Sequence, residues 1–324
     1  MDKNFVFILT EGDHDSAFIY RILKANGMKT DHGTAIKDYP PPLNDLIKSE
    51  IKLNPIEISD KSIKKARTKC SPSYIMKKDD NYVLIYGIGG DSNDKSRIGF
   101  ITSIKDLLPQ DPNAMPDPSA LSALENTQIS ILFFMDADDK GVVNRIIQIK
   151  KELNESFSEA EKENINKLEN REKCSVFGIN IGAFIFTEEN EDKGKLEDIL
   201  IPLMEDGNND IFDKAKDFLA IHKETALFKD NIEYYYGTKD IKKVNGEKYY
   251  YKKSLIGTVG QLQMSGKSNT VCISDSDYLN DNKITSNETC NDIYNFIQNL
   301  IPHSSPTSAQ ATTLLRSQIP LAIP

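Results

Sequence analysis

The stretch Ile131–Gly141, ILFFMDADDKG, runs an apolar segment straight into Asp136, Asp138 and Asp139. A second such transition stands near the start, where FVFILT (Phe5–Thr10) meets EGDHD at residues 11–15. Continuous apolar runs of this length fit strands buried on both faces of a parallel sheet. Ligands of such sheets sit beyond the carboxyl ends of the strands. Glu11, Asp136 and Asp138 are therefore expected at that edge, with Asp15 one turn into the next helix. Asp136 and Asp138 are expected on extended backbone, pointing to the same side while Ala137 points away. Gly12 is expected to turn the chain sharply after Glu11. Converging carboxylates repel one another unless a cation or protons neutralise them. Donors that are all oxygen suit Mg2+ or Mn2+.

The elements that must position these acids follow from periodicity. After EGDHD, the apolar residues Phe18, Ile19, Ile22 and Leu23 recur at helical spacing and Gly27 is a plausible stop. YVLIYGIGG (Tyr82–Gly90) reads as a second buried strand, and SRIGFITSIKDLL (Ser96–Leu108) as a second helix. A loop over Pro109–Ser119 precedes the third strand, which ends at the Asp-x-Asp. A third helix follows, with Val143, Ile146, Ile147 and Ile149 as its apolar positions. VFGINIGAFIF (Val176–Phe186) suggests one or two more strands. This alternation predicts an α/β fold with a doubly wound, mainly parallel sheet. Residues 31–80, broken at Pro40–Pro42, read as an inserted helical segment, and the chain beyond about 205 as mostly helical. The expected division is 1–205 for the core, 206–302 for a helical and hairpin subdomain, and a weakly ordered Ser/Thr/Pro tail at 303–324.

Composition narrows the function classes. The 324 residues suffice for a sizeable core, and the net charge of -9 argues against a generic basic nucleic-acid binder. It leaves nucleic acid open as a partner, because a cation-binding carboxylate site itself lowers the charge. Four scattered cysteines and four histidines provide no zinc spacing and no disulfide framework. Free thiols, no membrane-length apolar run and a short apolar run after an acidic second residue fit a cytoplasmic protein.

The order Glu11-Gly12-x-x-Asp15 after an apolar strand, Gly89-Gly90 after a second, and Asp136-x-Asp138 after a third resembles the TOPRIM domain. That family includes topoisomerases, primases, recombination-associated proteins and the overcoming-lysogenisation-defect nucleases. The resemblance covers roughly residues 4–30 and 80–205 and departs at 31–80. It implies a compact sheet of about four parallel strands and a metal-dependent nuclease. Glu11 would bind metal or act as base, Asp15 would be the second acid of its motif, and Asp136 and Asp138 would be metal ligands. GKLEDILIP, from Gly194, matches a Leu-Glu-Asp segment of stand-alone members, so Glu197 would complete a second metal site beside Asp198. The same likeness implies a lysine near the metals, for which Lys252 or Lys253 is the candidate. It also implies a phage-defence setting, with a regulatory ATPase or another defence-system protein as partner and a homo-oligomer as one possible state.

Two basic stretches interleave aromatic residues: Lys64, Lys65, Arg67 and Lys69 near Tyr74, and Tyr234–Lys253, which includes Lys242 and Lys243. Lysines can follow phosphates and tyrosines can stack on unpaired bases in DNA or RNA. The competing reading of the second stretch is a solvated hairpin turning at Asn245-Gly246. Several lookalikes fail on spacing. As an EF-hand, DADDKG would need ligands at Lys140 and Ile147. A haloacid-dehalogenase-like phosphatase, whose Asp-x-Asp motif would need Thr or Val at Lys140 and normally opens its domain, stands as a distant alternative. GQLQMSGKS (Gly260–Ser268) has one residue too many for a P-loop, and NTVCISDSDYL after it reads as extended rather than helical. The alternative of a different class is a non-catalytic TOPRIM scaffold that binds a partner protein.

Overall fold

The computed structural model describes residues 3–31, 33–41, 43–50, 71–90, 93–106, 108, 127–222, 232–234, 241–243 and 250–299. Seven strands form one sheet: β1 (Lys3–Thr10), β2 (Lys29–Thr30), β3 (Tyr74–Lys78), β4 (Asn81–Gly87), β5 (Thr127–Asp136), β6 (Lys173–Val176) and β7 (Ile179–Phe186). Their spatial order is β2-β3-β4-β1-β5-β7-β6. The central four, β4, β1, β5 and β7, are mutually parallel, while β2, β3 and β6 pair antiparallel at the edges. The fold is thus α/β on a mixed, mostly parallel sheet. A separate two-stranded ribbon pairs β8 (Ile232–Tyr234) with β9 (Ile241–Lys243).

The helices among the described residues are α1 (Asp13–Ala25), α2 (Leu43–Glu50), α3 (Asp94–Lys105), α4 (Gly141–Ser156), α5 (Lys162–Asn166), α6 (Leu196–Glu205), α7 (Asn209–His222), α8 (Tyr251–Gly260), α9 (Asn269–Asp275), α10 (Asp281–Ser286) and α11 (Glu288–Gln298). Strand alternation sends Val6, Ile8, Leu132 and Phe134 to one face of the sheet and Phe5, Phe7, Ile131 and Phe133 to the other. α1 covers the first face through Phe18, Ile19 and Ile22, joined in one continuous core by Leu200, Leu255, Ile273 and Ile293 from the C-terminal helices. α3 and α4 cover the second face through Phe100, Ile104, Ile149 and Leu153.

This layering follows from handedness. The crossover from β1 through α1 moves to β4 on one side, and the crossover from β5 through α4 moves to β7 on the other. Right-handed crossovers in opposite directions place their helices on opposite faces. The chain therefore departs in opposite directions from the adjacent ends of β1 and β5. That is the topological switch point, where a crevice opens.

Several sequence expectations need correction. The segment 31–80 is not wholly helical: Tyr74–Lys78 is strand β3, held by β4, so Lys77 and Lys78 lie on the sheet. Residues 269–275 are helical, because Cys272 and Ile273 turn into the core on one helix face. On α4, Val143 and Ile147 are 68% and 57% exposed, whereas Ile146 and Ile149 are buried. The buried stripe instead runs through Arg145, Ile146, Ile149, Glu152 and Leu153. The expected turn at Asn245-Gly246 lies outside the described residues, and Tyr251 begins helix α8. The loop at 109–119, the residues Lys64, Lys65, Arg67 and Lys69, and the tail at 303–324 lie outside the described residues, as do the side chains of Lys242 and Lys243. The described cysteines Cys174, Cys272 and Cys290 are free thiols. Among the described residues, no helix is long and apolar enough to cross a membrane.

One buried ion pair ties the second face together. The Arg97 guanidinium donates from Nε and Nη2 to both oxygens of Glu152 at 2.8 and 2.7 Å. Its Nη1 donates to the carbonyls of Gly89 and Gly90 at 2.6 and 2.8 Å. Gly89 has φ +88°, and a Cβ there would overlap the Asn93 side chain. Removing one partner of a buried pair strands the other charge. Arg97→Ala is expected to lower stability in urea unfolding by about 3–5 kcal/mol, with Arg97→Met/Glu152→Leu recovering much of it. A loss below about 1 kcal/mol for the single variant would contradict this role.

Candidate functional site: a carboxylate cleft at the strand ends

Glu11 follows β1, and Asp136 ends β5, its parallel neighbour. Asp138 lies two residues further, but not on extended backbone. Its φ is +49°, in the left-handed region, and it bridges Gly194 through Asp138 N–H to Gly194 O at 2.8 Å. The strand has ended at Asp136, so the same-side argument from strand alternation does not apply to Asp138. Gly194 is the matching half of the device: its φ is +131°, and a Cβ there would strike the backbone of Glu188. The chain bends at Glu11 and Gly12, as expected. Gly12 itself is extended, with φ −152°, and serves as the N-cap of α1.

Asp15 sits in the first turn of α1, buried, with its Oδ2 accepting the Gly12 N–H at 2.7 Å. Asp136 performs the equivalent service for α6: its Oδ1 accepts the Leu196 N–H at 2.7 Å. Helix N-termini favour such anions. Burial nonetheless pushes Asp136 up, and the nearby Glu11 adds to it against the Leu196 N–H, so that its pKa reaches about 7. Asp15 is raised well above the usual carboxylate range, first by burial and then by Asp136, Glu11 and Glu197. Burial also works against charge on Glu197, but the His14 ring, Lys253 and a backbone N–H outweigh it and hold this acid below its usual range.

Cations stand directly against these acids. Arg145, buried in the apolar stripe of α4, places Nη2 2.7 Å from Asp138 Oδ2 and 3.1 Å from Glu11 Oε1. Its Nε donates to the Asp136 carbonyl at 2.7 Å. Lys195 Nζ lies 3.0 Å from Asp138 Oδ1, and this contact raises the lysine's pKa. His14 Nδ1 and Lys253 Nζ are 3.3 and 3.8 Å from Glu197 Oε1, while Lys252 pairs with Asp198. Arg145 Nη1 also donates to Gln148 at 3.1 Å, and Gln148 donates to Glu152 at 3.3 Å. One chain of polar contacts along α4 thus links the acids of β1 and β5 to Arg97 and the glycine turn after β4.

These groups line an open cleft of about 820 Å3 that includes Glu11, Asp136, Asp138, Glu197, Lys195 and Tyr250. Asp15 is buried and does not line it. Lys252 and Lys253 reach the cleft from the first turn of α8. As the side chains stand, no three His, Cys, Asp or Glu among the described residues converge on one point. The cause is visible: both Asp138 oxygens face Arg145 and Lys195, Asp136 faces Leu196, and Glu197 faces His14. Carboxylate oxygens are the donors that a hard divalent ion would take.

Reading the sequence for acids missed Arg145, His14 and Lys195. Arg145 was hidden because a charged residue on an amphipathic helix reads as solvent-facing, whereas here it shares the buried stripe with Glu152. Searches of the chain against protein-family models, curated proteins and solved structures find no match.

The raised acids set a pH dependence. Between the ordinary value of 3.8 and about 7, folded Asp136 holds a proton that the unfolded chain has released. That contribution to stability is complete below the unfolded value and is lost as the pH rises through about 7. In EDTA, thermal unfolding of the wild type is expected to fall from pH 5 to pH 8 more steeply than that of Asp136→Asn. Mg2+ should recover more stability at pH 8 than at pH 5, since ligands must be deprotonated to bind it. Parallel pH profiles for the two proteins would contradict the assignment.

Proposed function

We propose that this protein is a divalent-metal-dependent nuclease, hydrolysing phosphodiester bonds of DNA or RNA on a TOPRIM-like α/β core. The observation that carries the reading is the juxtaposition of Glu11 and Asp136 at the switch point, with Asp136 driven to about 7 by burial and by Glu11. An acid in a cleft whose pKa is raised by burial and by a second carboxylate marks a candidate functional site, and a cation site needs converging carboxylates. The order of Glu11, Asp15, Gly89, Gly90, Asp136 and Asp138, on a sheet with four central parallel strands, supports the TOPRIM likeness.

In this proposal Glu11, Asp136 and Asp138 hold one Mg2+ or Mn2+, and Asp15 and Glu197 contribute to a second. When bound, such an ion polarises a phosphoryl oxygen and acidifies coordinated water. The protein's own groups do the rest. Arg145 orients Glu11 and Asp138 through the contacts described above. Lys195, Lys252 and Lys253 sit on the cleft wall, where they can offset charge developing on the phosphate. His14 and Lys253 keep Glu197 ionised. A phage-defence role and control by a partner ATPase follow from the resemblance alone.

One observation favours the scaffold reading instead. Protein cations already contact Glu11, Asp138 and Glu197, so the cluster can stand with its charges internally paired. Plasmid DNA, single-stranded DNA and total RNA, each with Mg2+, Mn2+ or EDTA, separate the two. The nuclease reading expects metal-dependent cleavage that falls at least ~100-fold in Glu11→Ala and Asp136→Asn, the scale of losing a group that acts in the transition state. Folded wild-type protein that cleaves none of these polymers in either metal, yet keeps its biological effect in both variants, would establish the scaffold.

A further inference from the structure

The cleft wall carries a feature that metal chemistry does not use. Tyr250 and Tyr251, at the start of α8, are 55% and 40% exposed. Among the described residues they are the large exposed apolar side chains that line the cleft; the others, such as Val143, Phe218 and Leu262, lie elsewhere. Lys253 Nζ lies 5.7 Å from the Tyr250 ring centre and 3.8 Å from Glu197. A flat aromatic face, a cation and the carboxylates of the cleft therefore stand side by side. Lys193 and Lys195 line the same cleft.

Two aromatic rings left in water beside a polar cleft leave apolar area uncovered, which a planar ligand would bury. The neighbouring lysines suit a phosphate chain. A planar group one linkage away from a phosphate is a nucleotide base. In a duplex the base faces are stacked on one another and out of reach. A tyrosine beside the backbone meets a base face only where the strand is unpaired.

Resting on the nuclease reading of the same cleft, we infer that the substrate is an unpaired strand, with a base next to the reacting phosphate stacked on Tyr250 or Tyr251. Lys252 and Lys253 then follow the backbone from the same helix turn. DNA and RNA share this chemistry, because both present base faces and phosphates. The platform selects the unpaired state rather than the base.

The test is fluorescence anisotropy with a labelled 12-nucleotide strand, as DNA and as RNA, against a hairpin duplex of the same sequence. Calcium is supplied as the oxygen-seeking divalent ion. The wild type is compared with Tyr250→Ala/Tyr251→Ala, with the corresponding double Leu variant, which keeps bulk but no ring, and with the double Phe variant. Melting curves verify that each variant is folded. Single strands are expected to bind the wild type at least tenfold more tightly than the duplex. The Ala and Leu variants should lose roughly tenfold or more on single strands and little on the duplex, and the Phe variant should keep the preference. Equal binding of strand and duplex, or no loss in the folded Leu variant, overturns the inference. So does displacement of the 12-mer by AMP at a concentration near the 12-mer's own Kd, which would assign the rings to a free nucleotide. The outcomes separate from those of the nuclease reading. Metal-dependent cleavage without strand preference sinks only this inference. Tyrosine-dependent strand binding without cleavage in any metal sinks only the nuclease.

Discussion

The repulsion between Glu11 and Asp136 is the constraint around which this end of the molecule is arranged. Parallel pairing of β1 with β5 brings their carboxyl ends together, and each end carries an acid. Burial, and after it the nearby Glu11, pushes the Asp136 pKa up to about 7. The fold answers with a guanidinium. Arg145 rises from α4 under the strand ends and contacts Glu11, Asp138 and the Asp136 backbone at once. Buried ionic groups are rarely the most stabilising choice for a core, and apolar replacements often do better. An arginine placed in an apolar stripe to steady two acids points to a site that has to keep those acids.

The same logic extends along α4. Arg145, Gln148 and Glu152 are spaced at three and four residues, so they stand on one helix face. Glu152 takes Arg97, and Arg97 takes the carbonyls of Gly89 and Gly90. The ends of β1, β5 and β4 are thereby referred to a single helix. From the other face, α6 enters with its N-terminus on Asp136, and the Gly194 bridge holds Asp138 out of the strand line. The positions of the acids are determined by contacts from both layers of the fold and not by the strands alone.

This explains which parts were legible in the sequence. The central strands announced themselves as unbroken apolar runs, and the acids at their ends followed from parallel-sheet geometry. The segment around Glu197 could be placed only by likeness to a family motif. The conformation of Asp138 was hidden, because its left-handed backbone depends on Gly194, which is 56 positions away. The role of Arg145 was hidden for a related reason. Periodicity sorts residues by polarity, so a buried arginine is assigned to the solvent face, and Val143 and Ile147 are drawn inward to replace it. Strand β3 owes its state to the edge of β4. Helix α9 owes its state to the core that receives Cys272 and Ile273. In both, tertiary packing overrode a weak local signal.

The central claim is that the clustered acids are a divalent-cation site whose ligands are part-protonated when empty. Titration calorimetry with Mn2+ at pH 7, in two buffers of different ionisation enthalpy, tests it most directly. The account predicts saturable binding accompanied by proton release, because Asp136, with a pKa of about 7, must lose its proton to become a ligand. Asp136→Asn should abolish that release. No saturable heat from folded protein, or binding that releases no protons at pH 7 in either buffer, would contradict the account.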